Sequence, residues 1–215
     1  MPEAGHEKQD NPFVSRGGLK LRHALDTFGL DPLGWWAADL GCSTGGFTDC
    51  LLQAGAARVW SVDTAYGELA WKLRNDERVR VMERTNALHA NIPAEVAERG
   101  GVDLVVIDLG WTPQSRAIPA ALRWLGRGGR IITLIKPHYE QPLVPRARMG
   151  KGKSKSPPME DEEAERVVER VVEQMPELGV RVVGLTTSPI RGGKAGKGTA
   201  KGNVEFLAML QRCTK

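Results

Sequence analysis

The sequence predicts an α/β fold, in which a largely parallel sheet is covered by helices on both faces. Short apolar, β-branched runs alternate with segments of helical spacing, as in successive strand–helix–strand units. The runs are almost continuously apolar, for example LVVIDL at 104–109, which is typical of strands buried on both faces. The candidate strands are Trp36–Leu40, Arg58–Val62, Val79–Met82, Leu104–Leu109, Arg130–Ile135, Val180–Leu185 and Val204–Leu210.

The predicted helices carry apolar residues at every third or fourth position. The first is expected to begin with Ser15 as N-cap, to run to Phe28 and to end at Gly29. The strongest pattern covers 164–175, where alanine, valines and a methionine recur on one face. We interpret these apolar residues as core.

Length and composition indicate one large domain. The chain has 215 residues, of which 41% are hydrophobic and 26% charged. It contains neither an apolar run near the roughly 20 residues of a membrane span nor an apolar N-terminal leader, so we expect a cytoplasmic protein without membrane contact. The expected division is a tail over 1–12, a domain over 13–210 and a tail over 211–215. Three cysteines without C-x-x-C spacing predict neither a disulfide framework nor a zinc site.

The positive charge is concentrated in two glycine-rich segments. The net charge is +4, yet 146–159 carries five basic residues, 191–202 carries four, and neither contains an acid. Subtracting these nine charges leaves −5 for the rest of the chain. This distribution fits loops that contact a polyanion such as RNA. Solvated surface loops are an equally compatible interpretation.

The segment 39–47 (DLGCSTGGF) follows the first candidate strand and opens a helix. Its glycines suit a tight turn that a ligand approaches closely. Asp63 ends the next strand 22 residues after Gly41, where nucleotide-binding folds place a carboxylate on ribose hydroxyls. The segment is not G-x-G-x-x-G and no phosphate-binding lysine follows. A ligand with a ribose but no pyrophosphate, S-adenosylmethionine, therefore fits best.

The predicted S-adenosylmethionine site has three parts. Asp39 is expected near the amino-acid end of the cofactor, Asp63 on the ribose and Asn86 near the adenine. The full set of predicted cofactor-binding residues is Asp39, Gly41, Ser43, Thr44, Gly45, Gly46, Phe47, Asp63, Asn86 and Asp108. The alternative is a glycine turn that only packs a helix on the sheet.

A serine hydrolase is a weaker alternative. Residues 41–45 also match G-x-S-x-G, and Ser43, Asp108 and His138 follow in hydrolase order. However, the nucleophile would lie after the first strand, and no oxyanion segment of the HGGG type precedes it.

Two further strand ends carry charged residues in apolar surroundings. These are Asp108 in VVIDLGW and Lys136 in ITLIKPH. Open α/β sheets bind ligands at the carboxyl ends of their strands, so both residues are candidates for chemistry. A purely structural ion pair is the alternative.

Several strings together resemble the TlyA-type, hemolysin-named family of RNA 2′-O-methyltransferases and, more distantly, FtsJ-type enzymes. The resemblance covers most of 13–210 in the family's order. The strings are VSRGGLKL (14–21), DLGCSTGGFTDCLLQAGA (39–56), VDTAYGELAWKLRNDERV (62–79), ERTNA (83–87), LIKPHYE (134–140), SPI (188–190) and GNVEFL (202–207).

The resemblance implies a Rossmann-like, seven-stranded methyltransferase sheet with an antiparallel last strand. It also implies methyl transfer to a ribose 2′-hydroxyl, with ribosomal RNA as the expected substrate. The family's Lys-Asp-Lys-Glu tetrad falls on Lys20, Asp108, Lys136 and Glu205. Lys136 is the candidate base, oriented by Asp108. The sequence leaves open whether Lys136 is neutral, because Lys20 and a sulfonium favour the amine whereas the two carboxylates favour the ammonium.

The sequence also departs from the family's pattern. We expect the N-terminal S4-like RNA-binding domain to be absent, so that other surfaces or a partner protein would dock the RNA. The family's Ser-Phe-Ile after the aspartate is replaced by 109–112 (LGWT), and both basic loops are expanded. Trp111 is expected either to stack on a base or to be a core or rim aromatic, and Trp71 to pack. A base or protein acceptor, or a non-catalytic RNA-binding role, remains an alternative.

Overall fold

Seven strands form one sheet in the order β3-β2-β1-β4-β5-β7-β6 in the part of the chain that the computed structural model describes, residues 11–141, 159–192 and 202–213. Strands β1 to β5 run parallel, and β7 is antiparallel to both β5 and β6. The predicted fold class is therefore confirmed. The strands are β1 Trp36–Leu40, β2 Arg58–Val62, β3 Val79–Met82, β4 Val102–Ile107, β5 Leu125–Ile135, β6 Val180–Thr187 and β7 Phe206–Arg212.

Helices cover both faces of the sheet. They are α1 Gly17–Phe28, α2 Gly46–Gln53, α3 Trp71–Arg74, α4 Ala94–Arg99, α5 Gln114–Trp124, α6 Pro137–Glu140 and α7 Asp161–Gln174, followed by a 3-10 turn over Met175–Leu178. No helix in these described stretches is both long and apolar enough to cross a bilayer.

The central strands are buried on both faces, as their continuous apolar character predicts. In β4, Val105 and Ile107 contribute to one core, whereas Leu104 and Val106 contribute to the other. The first core includes buried residues of α5 and α7, and the second includes those of α1 and α2. The sheet therefore lies as a middle layer between two helical layers.

The largest error in the predicted strands is the start of β5. The prediction begins at Arg130, but the strand begins at Leu125. The reason is the glycine-rich segment 126–129, which resembles a turn in the sequence. In the structure this segment bulges, since Val102 pairs with Leu125 and Leu104 already pairs with Arg130.

The first helix begins later than predicted. Arg16 occupies the N-cap position in a helical conformation without a side-chain cap, so the prediction of Ser15 as N-cap is wrong. Instead, the carbonyl oxygen of Ser15 accepts a bond from the Gly18 N–H at 3.1 Å, while its side chain packs against α2 at Gly46. The helix ends at Gly29, as predicted.

Some of the other packing predictions are confirmed and one is wrong. The valines of α7 are buried as core, and Trp60 and Trp124 are almost fully buried. Trp71, expected to pack, is 78% exposed. It opens the single turn of α3, whose buried side is provided by Leu73 instead.

The order of the strands determines where a ligand can bind. The sheet runs from β1 toward β2 and β3 on one side, and toward β4 and β5 on the other. The direction of the chain thus reverses between β1 and β4, which creates a crevice at their carboxyl ends. The turn after β1, Asp63 after β2, Asp108 after β4 and Lys136 after β5 all lie at this edge.

Candidate active site

A buried ion pair joins the first helix to the last strand. Lys20 lies on α1 and Glu205 immediately precedes β7, 185 residues later. The Lys20 Nζ donates a hydrogen bond to Glu205 Oε2. Only 9% of Lys20 and 3% of Glu205 is exposed, so water screens this pair weakly.

A second ion pair joins the adjacent strand ends. Lys136 follows β5 and Asp108 follows β4, and these strands pair in parallel. The Lys136 Nζ donates to Asp108 Oδ1 at 2.5 Å and to the Leu109 carbonyl oxygen at 3.3 Å. Charged residues at the ends of two neighbouring strands thus form an ion pair.

All four charged side chains line one cavity, which we call the tetrad cavity, of about 430 Å³. The turn after β1 supplies part of its wall through Gly41, Ser43, Thr44, Gly46 and Phe47. Four residues from distant stretches of the chain thus face the same space, with two ammonium groups and two carboxylates available to a bound polar group.

A second cavity, of about 500 Å³, lies beside the first and is called the Asp63 cavity. Asp63 and Asn86 line it, as do Thr85, Trp111 and Arg116. Gly41, Ser43 and Asp108 line both cavities. A ligand in the Asp63 cavity would therefore meet a ligand in the tetrad cavity at these three residues.

Asp63 is held by the backbone in a position to accept further hydrogen bonds. Its Oδ2 accepts from the Ser43 N–H and its Oδ1 from the Ala65 N–H, each at 2.8 Å. An ionised carboxylate has about four acceptor sites, so lone pairs remain for hydroxyl donors. Nearby, the Asn86 side-chain oxygen accepts from the Leu88 N–H at 3.0 Å, which orders the segment after β3.

Gly41 is required by both conformation and space. Its φ is +94°, and a Cβ at this position would lie 2.7 Å from the carbonyl oxygen of Asp108. Its N–H donates to the Val62 carbonyl oxygen at 2.9 Å. The glycine thereby lets the turn after β1 approach the ends of β2 and β4 more closely than a residue with a side chain could.

Replacing Gly41 with alanine should destabilise the fold by more than the about 1–2 kcal/mol that a left-handed backbone costs, because a backbone oxygen also obstructs the new Cβ. We expect this variant to lose affinity for S-adenosylmethionine in calorimetric titration. Gly100→Ala is the matched control, since Gly100 has a φ of +85° but open space around it. Equal melting temperatures and affinities for the two variants would contradict this explanation.

Asp39 and Gly45, both expected to touch the cofactor, line neither cavity. Gly45 faces α3, since a Cβ there would lie 2.3 Å from Leu73 Cδ1. Asp39 is fully buried beneath the turn, where its Oδ2 accepts from the Thr48 hydroxyl at 2.7 Å and its Oδ1 has no partner among the described residues. Its carboxyl group points into the interface with α2, and the expected proximity of Asp39 to the amino-acid end of the cofactor stays a prediction.

Burial raises the pKa of Asp39 to about 7, against the lowering effect of the Thr48 hydrogen bond and with a further increase from the charge of Asp108. Because the folded-state pKa is raised, this group stabilises the fold most at low pH. The free energy of unfolding should fall as the pH rises from about 4 to 7, by up to about 4 kcal/mol for three pKa units.

Asp39→Asn should flatten that pH dependence in urea unfolding at pH 5 and pH 8. Some pH dependence of the free energy of unfolding should remain, because burial also raises the pKa of Glu140 to about 7. This shift likewise lowers stability as the pH rises. Glu140→Gln is the matched control, and it should remove the other part of the slope. An Asp39→Asn slope equal to that of the wild type would be inconsistent with a buried, titrating Asp39.

The predicted hydrolase triad is not assembled. Asp108 bonds to Lys136, and His138 does not line the tetrad cavity that Ser43 and Asp108 share. The His138 Nδ1, which a triad would bond to a carboxylate, is buried and finds no partner in the part of the chain that the structure describes. Burial and the nearby Lys136 lower the pKa of His138.

The sequence did not single out Arg16 or Arg116 as lining residues, and it indicated Arg191 only as part of the basic segment 191–202. Arg16 and Arg191 line the tetrad cavity, and Arg191 also binds both oxygens of Asp161, at 2.8 and 2.6 Å. Arg116 lines the Asp63 cavity. Apart from 159, 191, 192 and 202, the two basic loops lie outside the described residues.

Trp111 is placed at the rim of the Asp63 cavity and not in the core. It is 84% exposed, and its φ of +51° is unusual for a bulky residue. Its ring centroid lies 6.1 Å from that of Tyr139. The indole face is therefore open to a stacking partner, and stacking on a base stays a prediction.

Comparison with known proteins agrees with this architecture. A relative from Mycobacterium tuberculosis, 16S/23S rRNA (cytidine-2′-O)-methyltransferase TlyA, is 39% identical over 95% of this chain and 70% of its own length. Hemolysin A of Brachyspira hyodysenteriae is 34% identical over 93% of this chain and 77% of its own. A solved structure of a hemolysin-named protein from Streptococcus thermophilus superposes with a TM-score of 0.80 at 38% identity, and covers 96% of this chain and 69% of that one.

The family model described as FtsJ-like methyltransferase matches residues 13–197, which include the turn after β1 and three of the four tetrad residues. The fourth, Glu205, lies just beyond the matched range and completes the tetrad cavity. The chain belongs to the FtsJ-like methyltransferase family.

Proposed function

We propose that the protein transfers a methyl group from S-adenosylmethionine to a ribose 2′-hydroxyl of RNA, with ribosomal RNA as the substrate. One observation carries this proposal: the tetrad cavity and the Asp63 cavity share Gly41, Ser43 and Asp108. A donor in one and an acceptor in the other would meet at the carboxyl end of β4. The TlyA relative, named for cytidine-2′-O methylation of ribosomal RNA, supports the choice of acceptor.

The residues at the Asp63 cavity fit S-adenosylmethionine. Asp63 would accept hydrogen bonds from the ribose hydroxyls, and Asn86 would lie near the adenine. The cavity of about 500 Å³ that these residues line offers space for the ligand. When bound, this cofactor supplies an electrophilic methyl group on a sulfonium.

The tetrad would hold the acceptor hydroxyl and take up its proton. Alignment of two reactants can be worth about 7–11 kcal/mol, and the fixed Lys20–Glu205 pair offers both a donor and an acceptor for positioning a hydroxyl. The Lys136 Nζ donates to Asp108 Oδ1, and this bond would orient the lysine toward the acceptor hydroxyl. As a general base, Lys136 would accept the hydroxyl proton.

The exposed ring of Trp111 suits the base of the acceptor nucleotide. It lies at the rim of the Asp63 cavity, three residues after Asp108, and its neighbour Tyr139 lies three residues after Lys136. Stacking on an aromatic side chain contributes about 1–3 kcal/mol per base. A reaction on ribosomal RNA would place the protein in the cytoplasm.

The transfer assay uses purified protein, tritiated S-adenosylmethionine and ribosomal RNA from cells that lack this protein. Ribose methylation blocks alkaline cleavage, so the label should appear in alkali-resistant dinucleotides. Label in alkali-released mononucleotides would indicate a base acceptor, and label in protein would indicate a protein acceptor. Either result would overturn the proposed reaction.

A further inference from the structure

A shallow groove runs along one side of α5, next to the Asp63 cavity. Its volume is about 240 Å³. Arg116 and Arg123 of α5 line it together with His89 and Ser115, and Leu88 supplies an apolar wall. We call this feature the α5 groove.

The α5 groove belongs to an acid-free part of the chain. Residues 109–139 contain five basic side chains, Arg116, Arg123, Arg127, Arg130 and Lys136, and neither aspartate nor glutamate. None of the described residues that line the groove is acidic. A positive potential in the groove is therefore not offset by a carboxylate in its walls.

The two arginines of the groove are available to a ligand. Both are exposed, and they are seven residues apart on one helix, which corresponds to about 10 Å along its axis. Arg123 donates one bond to the Ala90 carbonyl oxygen at 3.0 Å, which orients its guanidinium group. Within 11–141, 159–192 and 202–213, neither arginine forms an ion pair with a carboxylate.

The groove is continuous with the proposed site. Arg116 and Leu88 line both the α5 groove and the Asp63 cavity. A strand that leaves the rim of the Asp63 cavity past Trp111 would enter the groove next to Arg116.

We propose that the α5 groove binds backbone phosphates of the RNA strand that flanks the acceptor nucleotide. The inference rests on the proposed function, and it adds a docking surface within the described part of the chain. Guanidinium groups pair with phosphate oxygens through two parallel bonds, and imidazole and hydroxyl groups can donate further bonds. A row of such donors without acids fits an RNA backbone better than a neutral ligand.

The test measures binding of a fluorescein-labelled, single-stranded 12-nucleotide RNA of mixed sequence over a series of salt concentrations. For single strands, log Kobs falls with log salt by about 0.7 for each phosphate contact. The double variant R116Q/R123Q should therefore reduce the slope by about 1.4 and weaken binding about 10-fold or more at low salt. R127Q is the matched control, because Arg127 is exposed in the same acid-free stretch but does not line the groove.

The single variant R123Q separates the groove from the cofactor site, since Arg123 does not line the Asp63 cavity. It should reduce the slope by about 0.7 with unchanged affinity for S-adenosylmethionine. An unchanged slope in R116Q/R123Q, a loss of slope in R127Q equal to that in R123Q, or salt-independent binding by the wild type would overturn the inference.

The transfer assay distinguishes a failure of the α5 groove proposal from a failure of the proposed reaction. Ribose methylation by the wild type together with an unchanged slope in R116Q/R123Q would refute the groove alone. Reduced slopes together with label outside the ribose would refute the proposed reaction and leave the groove as an RNA site.

Discussion

Replacing Lys136 with alanine should reduce methyl transfer by about 10³-fold or more while S-adenosylmethionine still binds. The side chain bonds to Asp108 at the meeting point of the two cavities, and removal of a general base typically costs 10²- to 10⁴-fold. Single-turnover transfer to ribosomal RNA measures the rate, and calorimetric titration measures cofactor affinity. Lys72→Ala is the control, because Lys72 is exposed, pairs with Asp49 and lines neither cavity.

An arginine at position 136 distinguishes proton transfer from charge stabilisation. Lys136→Arg keeps a positive charge that can pair with Asp108, but a guanidinium is not deprotonated in proteins. The proposed mechanism therefore predicts that this variant is as inactive as Lys136→Ala. Substantial transfer by the arginine variant would show that position 136 contributes charge and not a base.

Glu205→Ala should lower the free energy of unfolding by about 3–5 kcal/mol, because it leaves the ammonium of Lys20 buried without its partner. Lys20 is only 9% exposed, so water cannot replace the lost carboxylate easily. Urea unfolding at neutral pH measures the effect. We expect Arg22→Ala, at a partly exposed pair with Asp26 on the same helix, to change stability by less than about 1 kcal/mol.

A double replacement separates the structural and catalytic roles of this pair. Lys20→Met with Glu205→Leu removes both charges at similar volume, which for buried pairs is often neutral or stabilising. This variant should recover most of the stability and still fail to methylate RNA. A stable double variant with wild-type activity would exclude the pair from the mechanism.

The first three strands were predictable from the sequence because each is a short run rich in apolar and β-branched residues. β1, β2 and β3 have the predicted bounds. The early start of β5 was not predictable from local pattern, since glycines 126, 128 and 129 resemble a turn and only pairing with β4 extends the strand. The start of α1 was missed for a similar reason, because the contact of Ser15 with Gly46 competes with capping.

The residues of the candidate site were also only partly predictable from the sequence. Asp108 and Lys136 stand out as charges at the ends of apolar strands, and their contact follows from the pairing of β4 with β5. Spacing alone does not select Lys20 or Glu205, because their contact depends on β7 inserting between β5 and β6. Resemblance to a family supplied these two residues. The burial of Asp39 could not be inferred from a motif that places it next to ligand-binding residues.

A crystal structure with S-adenosylhomocysteine would test most directly whether the two cavities hold donor and acceptor. We predict that the ribose hydroxyls bond to Asp63 and that the sulfur faces Asp108 and Lys136 across the wall that the two cavities share. An adenosyl group bound among Lys20, Lys136 and Glu205, or a sulfur directed away from these residues, would contradict the proposed placement of donor and acceptor.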